Sequence, residues 1–147
     1  MKKVCLSIIM FLMMVSVSLG AESLTQSIKA SGPYHVYVLA WVNDSSGDFT
    51  ATANSQGING VVMMAESIPS GTAVPTDQYD VTLKNDQSID VFGGALGNLS
   101  NTTAGETMPL LNGSYGAIPV MGTLTIDITN AGNSKGGTIR IHYLGLD

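Results

Sequence analysis

Charge is scarce in this chain. Charged residues make up 12% of its 147 positions, about half of the roughly 25% that a soluble domain usually carries. Basic groups are scarcer still: six Lys and Arg stand against 11 Asp and Glu, for a net charge of −5. That balance excludes a basic nucleic-acid binder that works by neutralising phosphates. Cysteine occurs once, at Cys5, which excludes a disulfide framework and any multi-cysteine metal site. Aromatic residues are 6% of the chain, with a single Trp. From Ala21 onward no segment sustains an i, i+3, i+4, i+7 apolar stripe over three turns. This argues against a long amphipathic helix or coiled coil. The length suits one domain rather than two.

Turn-forming residues are plentiful. Gly, Ser, Thr and Asn supply 54 of the 147 residues. Apolar side chains are confined to short runs between these turns, with one exception at the N-terminus. There Lys2 and Lys3 precede a 14-residue apolar run, Val4 to Val17, broken only by Ser7 and Ser16. Ser18-Leu19-Gly20 then places small residues for cleavage before Ala21. This is the layout of a secretory signal peptide over residues 1–20. The run falls short of the roughly 20 residues of a spanning helix, although an uncleaved N-terminal anchor is the alternative use. Cleavage would remove Cys5 and leave four basic against 11 acidic residues, a net −7. The expected location is periplasmic, cell-surface or extracellular.

Residues 21–33 are polar, end in Ser31-Gly32-Pro33, and read as a flexible arm. Residues 34–147 read as a single domain of short strands. Tyr34–Val42 is apolar on both parities, as in a buried strand, and Asn43–Gly47 is a turn after which Asp48–Ala53 pairs back. Gly60–Glu66 is a second apolar run. Tyr79, Val81 and Leu83 alternate with polar residues, and Ile89 and Val91 face inward about Asp90. Residues 93–118 are irregular and read as a long loop whose Leu96, Leu99, Met108, Leu110 and Leu111 can cover a sheet edge. Leu124, Ile126 and Ile128, then Ile139, Ile141 and Tyr143, alternate with polar residues in the last two strands. The pattern predicts an all-β fold: a compact antiparallel β-sandwich, jelly-roll- or Ig-like, or a small barrel, of about seven or eight strands. Its edges must be closed or covered.

Chemistry-bearing residues are few. His35 opens the first predicted strand and His142 lies on the polar parity of the last. A Ser–His–Asp site needs a nucleophile beside one of them. Gly113-Ser114-Tyr115-Gly116 has the wrong spacing for a nucleophile elbow. No His pattern suits a metal. Asp44-Ser45-Ser46-Gly47-Asp48 gathers oxygen ligands that can hold Ca²⁺. The EF-hand pattern is absent, since its twelfth position is Ser55, and Asp and Ser are ordinary turn formers. Gly93-Gly94-Ala95-Leu96-Gly97 matches no phosphate loop and reads as a turn or bulge. Glycosylation sequons start at Asn43, Asn98, Asn101 and Asn112. Trp41, Tyr79 and Tyr143 read as core, which leaves Tyr115 as the candidate exposed aromatic for a glycan. No catalytic, cofactor or metal residue is assigned, and no enzyme activity is expected.

Three segments carry a family likeness: LAWVNDSSGDFTA (39–51), PTDQYDVTLKNDQSIDVFGGALGNLSNTT (75–103) and PVMGTLTIDITNAGNSKGGTIRIHYL (119–144). In this order they resemble a group of small proteins encoded among bacteriophage and prophage structural genes. The likeness covers about 110 residues, and its motifs are turns and strands. It implies a virion component, such as a capsid-decoration subunit, built on a compact β-domain. The hydrophobic N-terminus departs from that group, whose members assemble in the cytoplasm. The expectation is a non-enzymatic structural protein that acts by self-association or by docking on a larger assembly, without nucleic acid or small-molecule substrate. The alternative is an exported binding or adhesin-like module, with a glycan as its possible ligand.

Overall fold

The computed structural model describes residues 22–47 and 49–146, with residues 50–56 described at the backbone only. The expected signal segment lies outside the described residues, as does Asp48. No helix occurs among them. The strands are β1 (Ser23–Ser31), β2 (Tyr34–Val42), β3 (Phe49–Pro69), β4 (Asp80–Lys84), β5 (Gly105–Thr107), β6 (Leu110–Leu111), β7 (Ser114–Tyr115), β8 (Ile118–Thr129) and β9 (Gly136–Gly145). Seven of them form one antiparallel sheet in the order β1-β2-β9-β3-β8-β4, with β5 added on β3, while β6 and β7 make a separate hairpin. The expected all-β antiparallel architecture is what the chain adopts.

Period-two alternation sets which face is buried. In β2 and β9 the odd-numbered residues point inward: Tyr37, Leu39 and Trp41 are buried, as are Ile139, Ile141 and Tyr143. In β8 and β4 the inward rows are Leu124, Ile126 and Ile128 with Val81 and Leu83. These rows belong to one core. Trp41, next to one end of the strand order, stacks at 5.9 Å on Tyr79, which precedes β4 at the other end. The Tyr79 and Ser67 hydroxyls meet at 2.8 Å. The sheet is therefore folded over on itself into a sandwich-like body.

β3 makes the fold possible. Its first part pairs with β8 and its second with β9, and residues 60–62 are flanked by both. The register with β8 shifts between Ala53 and Ile58, where Gly57 faces Gly122. A Cβ on Gly57 would stand 2.7 Å from the Gly122 carbonyl oxygen. Gly122 itself has φ +111°, open to glycine and strained for other residues. Bulges of this kind bend and twist a strand. A little further along β3, a Cβ on Gly60 would lie 2.2 Å from the Leu144 carbonyl oxygen.

Several local expectations change. Residues 23–31 form strand β1 along all of β2, from Ser23↔Val42 to Ser31↔Tyr34. Leu24 and Ile28 pack on the core and the Tyr37 hydroxyl donates to Gln26. The polar residues between them hid the alternation. The strand after the Asn43–Gly47 turn does not return to β2; Phe49 pairs with Ile128 in the other layer. Buried Asn43 directs this crossing. Its Nδ2 donates to the carbonyls of Gly47 (2.8 Å) and Gly132 (2.6 Å), and its Oδ1 accepts from the Lys135 amide. The Gly60–Glu66 run is the second half of β3, and β3 separates β8 from β9. Ile89 is 58% exposed while Val91 is buried. Within 93–118, Leu96 and Leu99 cover the edge of β4, through Val81 N to Leu96 O and Leu99 N to Tyr79 O. Met108 and Leu111 remain exposed.

Two outcomes follow from this packing. Gly60→Ala forces β9 away from β3 and should cost about 3 kcal/mol in urea unfolding, the upper end for overpacking. The second concerns alkali. Burial, with the neighbouring Tyr143 adding repulsion, pushes the Tyr37 hydroxyl up to about 12, and burial raises Tyr79 and Tyr143 as well. The unfolded chain ionises these groups near 10 and the folded chain does so later. The contribution of Tyr37 to stability should be complete below pH about 10 and disappear as the pH rises towards about 12, with Tyr79 and Tyr143 acting in the same direction. Urea midpoints measured across that range check it.

Candidate functional site

Sheet geometry puts the two histidines on opposite faces. His142, at an even position of β9, belongs to the outer face, opposite Val36 of β2 and Met64 of β3. The Tyr34 hydroxyl meets its Nδ1, and the two rings are 5.8 Å apart. Its Nε2 lies 2.9 Å from Glu66 Oε1, though outside hydrogen-bonding alignment. Arg140 Nη1 donates to the other Glu66 oxygen at 3.1 Å. A chain thus runs Tyr34–His142–Glu66–Arg140 across three strands. In a neutral imidazole whose Nε2 carries the proton, Nδ1 accepts from Tyr34. The Glu66 carboxylate faces two cationic or proton-bearing partners and orients the ring. These four groups face one another on an open sheet face, with His142 Nε2 near Glu66 but without a hydrogen bond, and the clefts described below are lined by other residues.

His35 lies on the inner parity and stacks on Tyr143 at 5.1 Å. Its buried Nε2 has no hydrogen-bond partner and sits near Gly145. The ring opens on a cleft of about 430 Å³ that Ile28, Asn59 and Leu146 also line. Among the described residues no seryl or threonyl hydroxyl bonds to either histidine ring.

The acidic residues anchor turns. Asp44 Oδ1 accepts from the Ser46 amide at 2.7 Å and from the Ser46 hydroxyl. Those bonds hold its carboxyl below the usual aspartate range. The second carboxylate of the calcium reading, Asp48, lies outside the described residues. Asp90 accepts from the amides of Phe92 (3.1 Å) and Gly94 (2.6 Å). A carboxylate of the chain itself thus fills the anion site that the Gly93-Gly94 turn creates. Asp80 joins Asn98 N to Asn130 Nδ2. Among the described residues no group of three His, Cys, Asp or Glu is placed to hold a metal ion.

The aromatic residues divide as their positions suggested. Trp41, Tyr79 and Tyr143 are core, and Tyr115 on β7 is 66% exposed. Tyr115 borders a shallow cleft of about 280 Å³ with Glu106, Thr107 and Met108. The Asn43 sequon is closed to modification, because that side chain is buried and fully bonded. Glu66 and Tyr34 escaped sequence reading. The spacing of two between Arg140 and His142 puts both on one face, but their partners come from strands distant in the chain.

The sheet's two ends differ. β4 is covered by residues 90–99, through Val91 N to Leu83 O and the Leu96 and Leu99 bonds given above. β1 pairs with β2 on one side and, among the described residues, with no strand on the other. It is nine residues long, free of Pro, and carries one charge, Lys29. Beside it, β2 turns Val36, Val38 and Ala40 outward and half-buried, between exposed Tyr34 and Val42. This strand is therefore not covered on both faces, as its unbroken apolar run suggested.

Comparison with known proteins gave no matching family model, no matching curated protein and no matching solved structure.

The Asp44 turn yields a test. In a ¹³C NMR titration the Asp44 carboxyl should have its midpoint below that of an ordinary Asp, and Ser46→Ala should move it up. An Asp44 midpoint indifferent to Ser46→Ala would contradict the turn geometry.

Proposed function

We propose that this chain is a non-enzymatic structural protein, virion-like in the manner of a capsid-decoration or other assembly subunit. It acts by self-association or by docking on a larger assembly. The observation that carries the reading is the edge of β1, which no strand among the described residues covers, beside the outward apolar row of β2. Long edge strands without Pro, bulge or repeated charge invite pairing with another chain. The other end of the same sheet is closed by its own chain, so the open edge is a local feature of β1. The resemblance of the turn and strand motifs at 39–51, 75–103 and 119–144 to phage structural proteins suits the same reading. So does the Tyr34–His142–Glu66–Arg140 chain, whose side chains face one another across three strands. Neither nucleic acid nor a small-molecule substrate enters this reading.

A second reading has its own support. The signal-like residues 1–20 and the exposed Tyr115 beside Met108 suit an exported surface or periplasmic binding module, adhesin-like, with a glycan as ligand. Mass spectrometry of the native N-terminus separates the two. Purified phage particles are compared with periplasmic, outer-membrane and extracellular fractions. A stoichiometric chain in particles is the expected result. A chain starting at Ala21 outside the cytoplasm and missing from particles would replace the virion reading with the exported module.

A further inference from the structure

β1 offers a specific partner. We infer that its open edge pairs antiparallel with β1 of a second copy of this chain, about a two-fold axis at Ser27. The inference rests on the assembly reading above and names the contact and its register.

Antiparallel partners that face one another must share parity, so that side chains on each face stay on that face. Centring on Ser27 satisfies this over the full nine residues of β1. The outer row then opposes Ser23 to Ser31, Thr25 to Lys29 and Ser27 to itself. The inner row opposes Leu24 to Ala30 and Gln26 to Ile28. Each copy brings Leu24 and Ile28 half-buried and packed on its core. A neighbouring strand would complete their cover. Charge also favours this contact. The chain carries net −5, yet β1 contains no acidic residue, so two acidic molecules meet at a strand without like-charged carboxylates. Each Lys29 faces a Thr25 hydroxyl, and the two Lys29 are about 13 Å apart along the strands, beyond the screening length at physiological salt. The pairing adds roughly eight to ten backbone hydrogen bonds. A single strand edge is a small interface, so the dimer is expected to dissociate on dilution.

The test uses the full chain in sedimentation velocity across a concentration series, with three variants. Ser27→Lys places two like charges opposite each other on an exposed face. It should weaken dimerisation at least tenfold while leaving the thermal midpoint unchanged. Thr25→Glu faces Lys29 of the other copy and should tighten the dimer several-fold at low salt, with the gain lost at high salt. Ser27→Cys in a Cys5→Ser background should form a disulfide dimer on mild oxidation, since facing residues lie within disulfide reach. Asn112→Cys, on the β6–β7 hairpin, should not. A dimer indifferent to Ser27→Lys, with no cross-link in the Ser27→Cys variant, would overturn this pairing and leave self-association through another surface. A chain monomeric at every concentration would also overturn the pairing, and the particle analysis would then decide the assembly reading separately. Were Ser27→Lys to unfold the domain, the Thr25→Glu and Ser27→Cys results would still decide.

Discussion

One strand holds both layers of this protein together. β3 spends its first part beside β8 and its second beside β9, and the core exists only because it bends between them. The bend depends on the absence of side chains. Gly57 and Gly122 face each other where the register slips, and Gly60 lets the end of β9 approach closely. A sandwich usually joins its sheets through loops. Here a continuous hydrogen-bonded backbone joins them, so a disturbance in one layer is felt in the other.

Polar groups inside the body serve the same end. Asn43 ties the turn after β2 to the loop before β9, and every bond it makes is to backbone. A buried amide deprived of such partners costs about 1–3 kcal/mol, so the two segments are bound to move together. The Tyr79–Ser67 contact stitches the segment before β4 to β3 across the core. Asp80, Asp90 and Lys84–Asp127 secure the second layer in a like manner. Carboxylates spread along the chain are thereby consumed in holding its turns and in joining β4 to β8.

The same economy marks the outer face. Tyr34, His142, Glu66 and Arg140 answer one another's charges and protons, while the row of Val36, Val38 and Ala40 beside them stays half-exposed. Among the described residues, the amides and carbonyls that β1 turns away from β2 pair with no strand. Those groups are suited to another strand, which is why the functional reading turns on association.

Residue pattern alone determined the class of fold and much of the core. Leu124 to Ile128 and Ile139 to Tyr143 alternate strictly, because a strand half in water must alternate; Tyr34–Val42 was legible as a strand, but its apolar residues on both parities hid which face Tyr37, Leu39 and Trp41 share. The turns at 43–47 and 130–133 were equally legible from their Asn, Asp, Ser and Gly. Pairing was not. That β1 is a strand, that residue 49 crosses to β8, and that β3 parts β8 from β9 depend on contacts between residues far apart in the chain. No local preference encodes such contacts. His142 and Arg140 could be placed on one face by their spacing of two, yet Glu66 and Tyr34 joined them only through β-sheet register. Local alternation is a property of neighbours along the chain, whereas a site built across strands is a property of which strands meet. Only the packing of the core decides that.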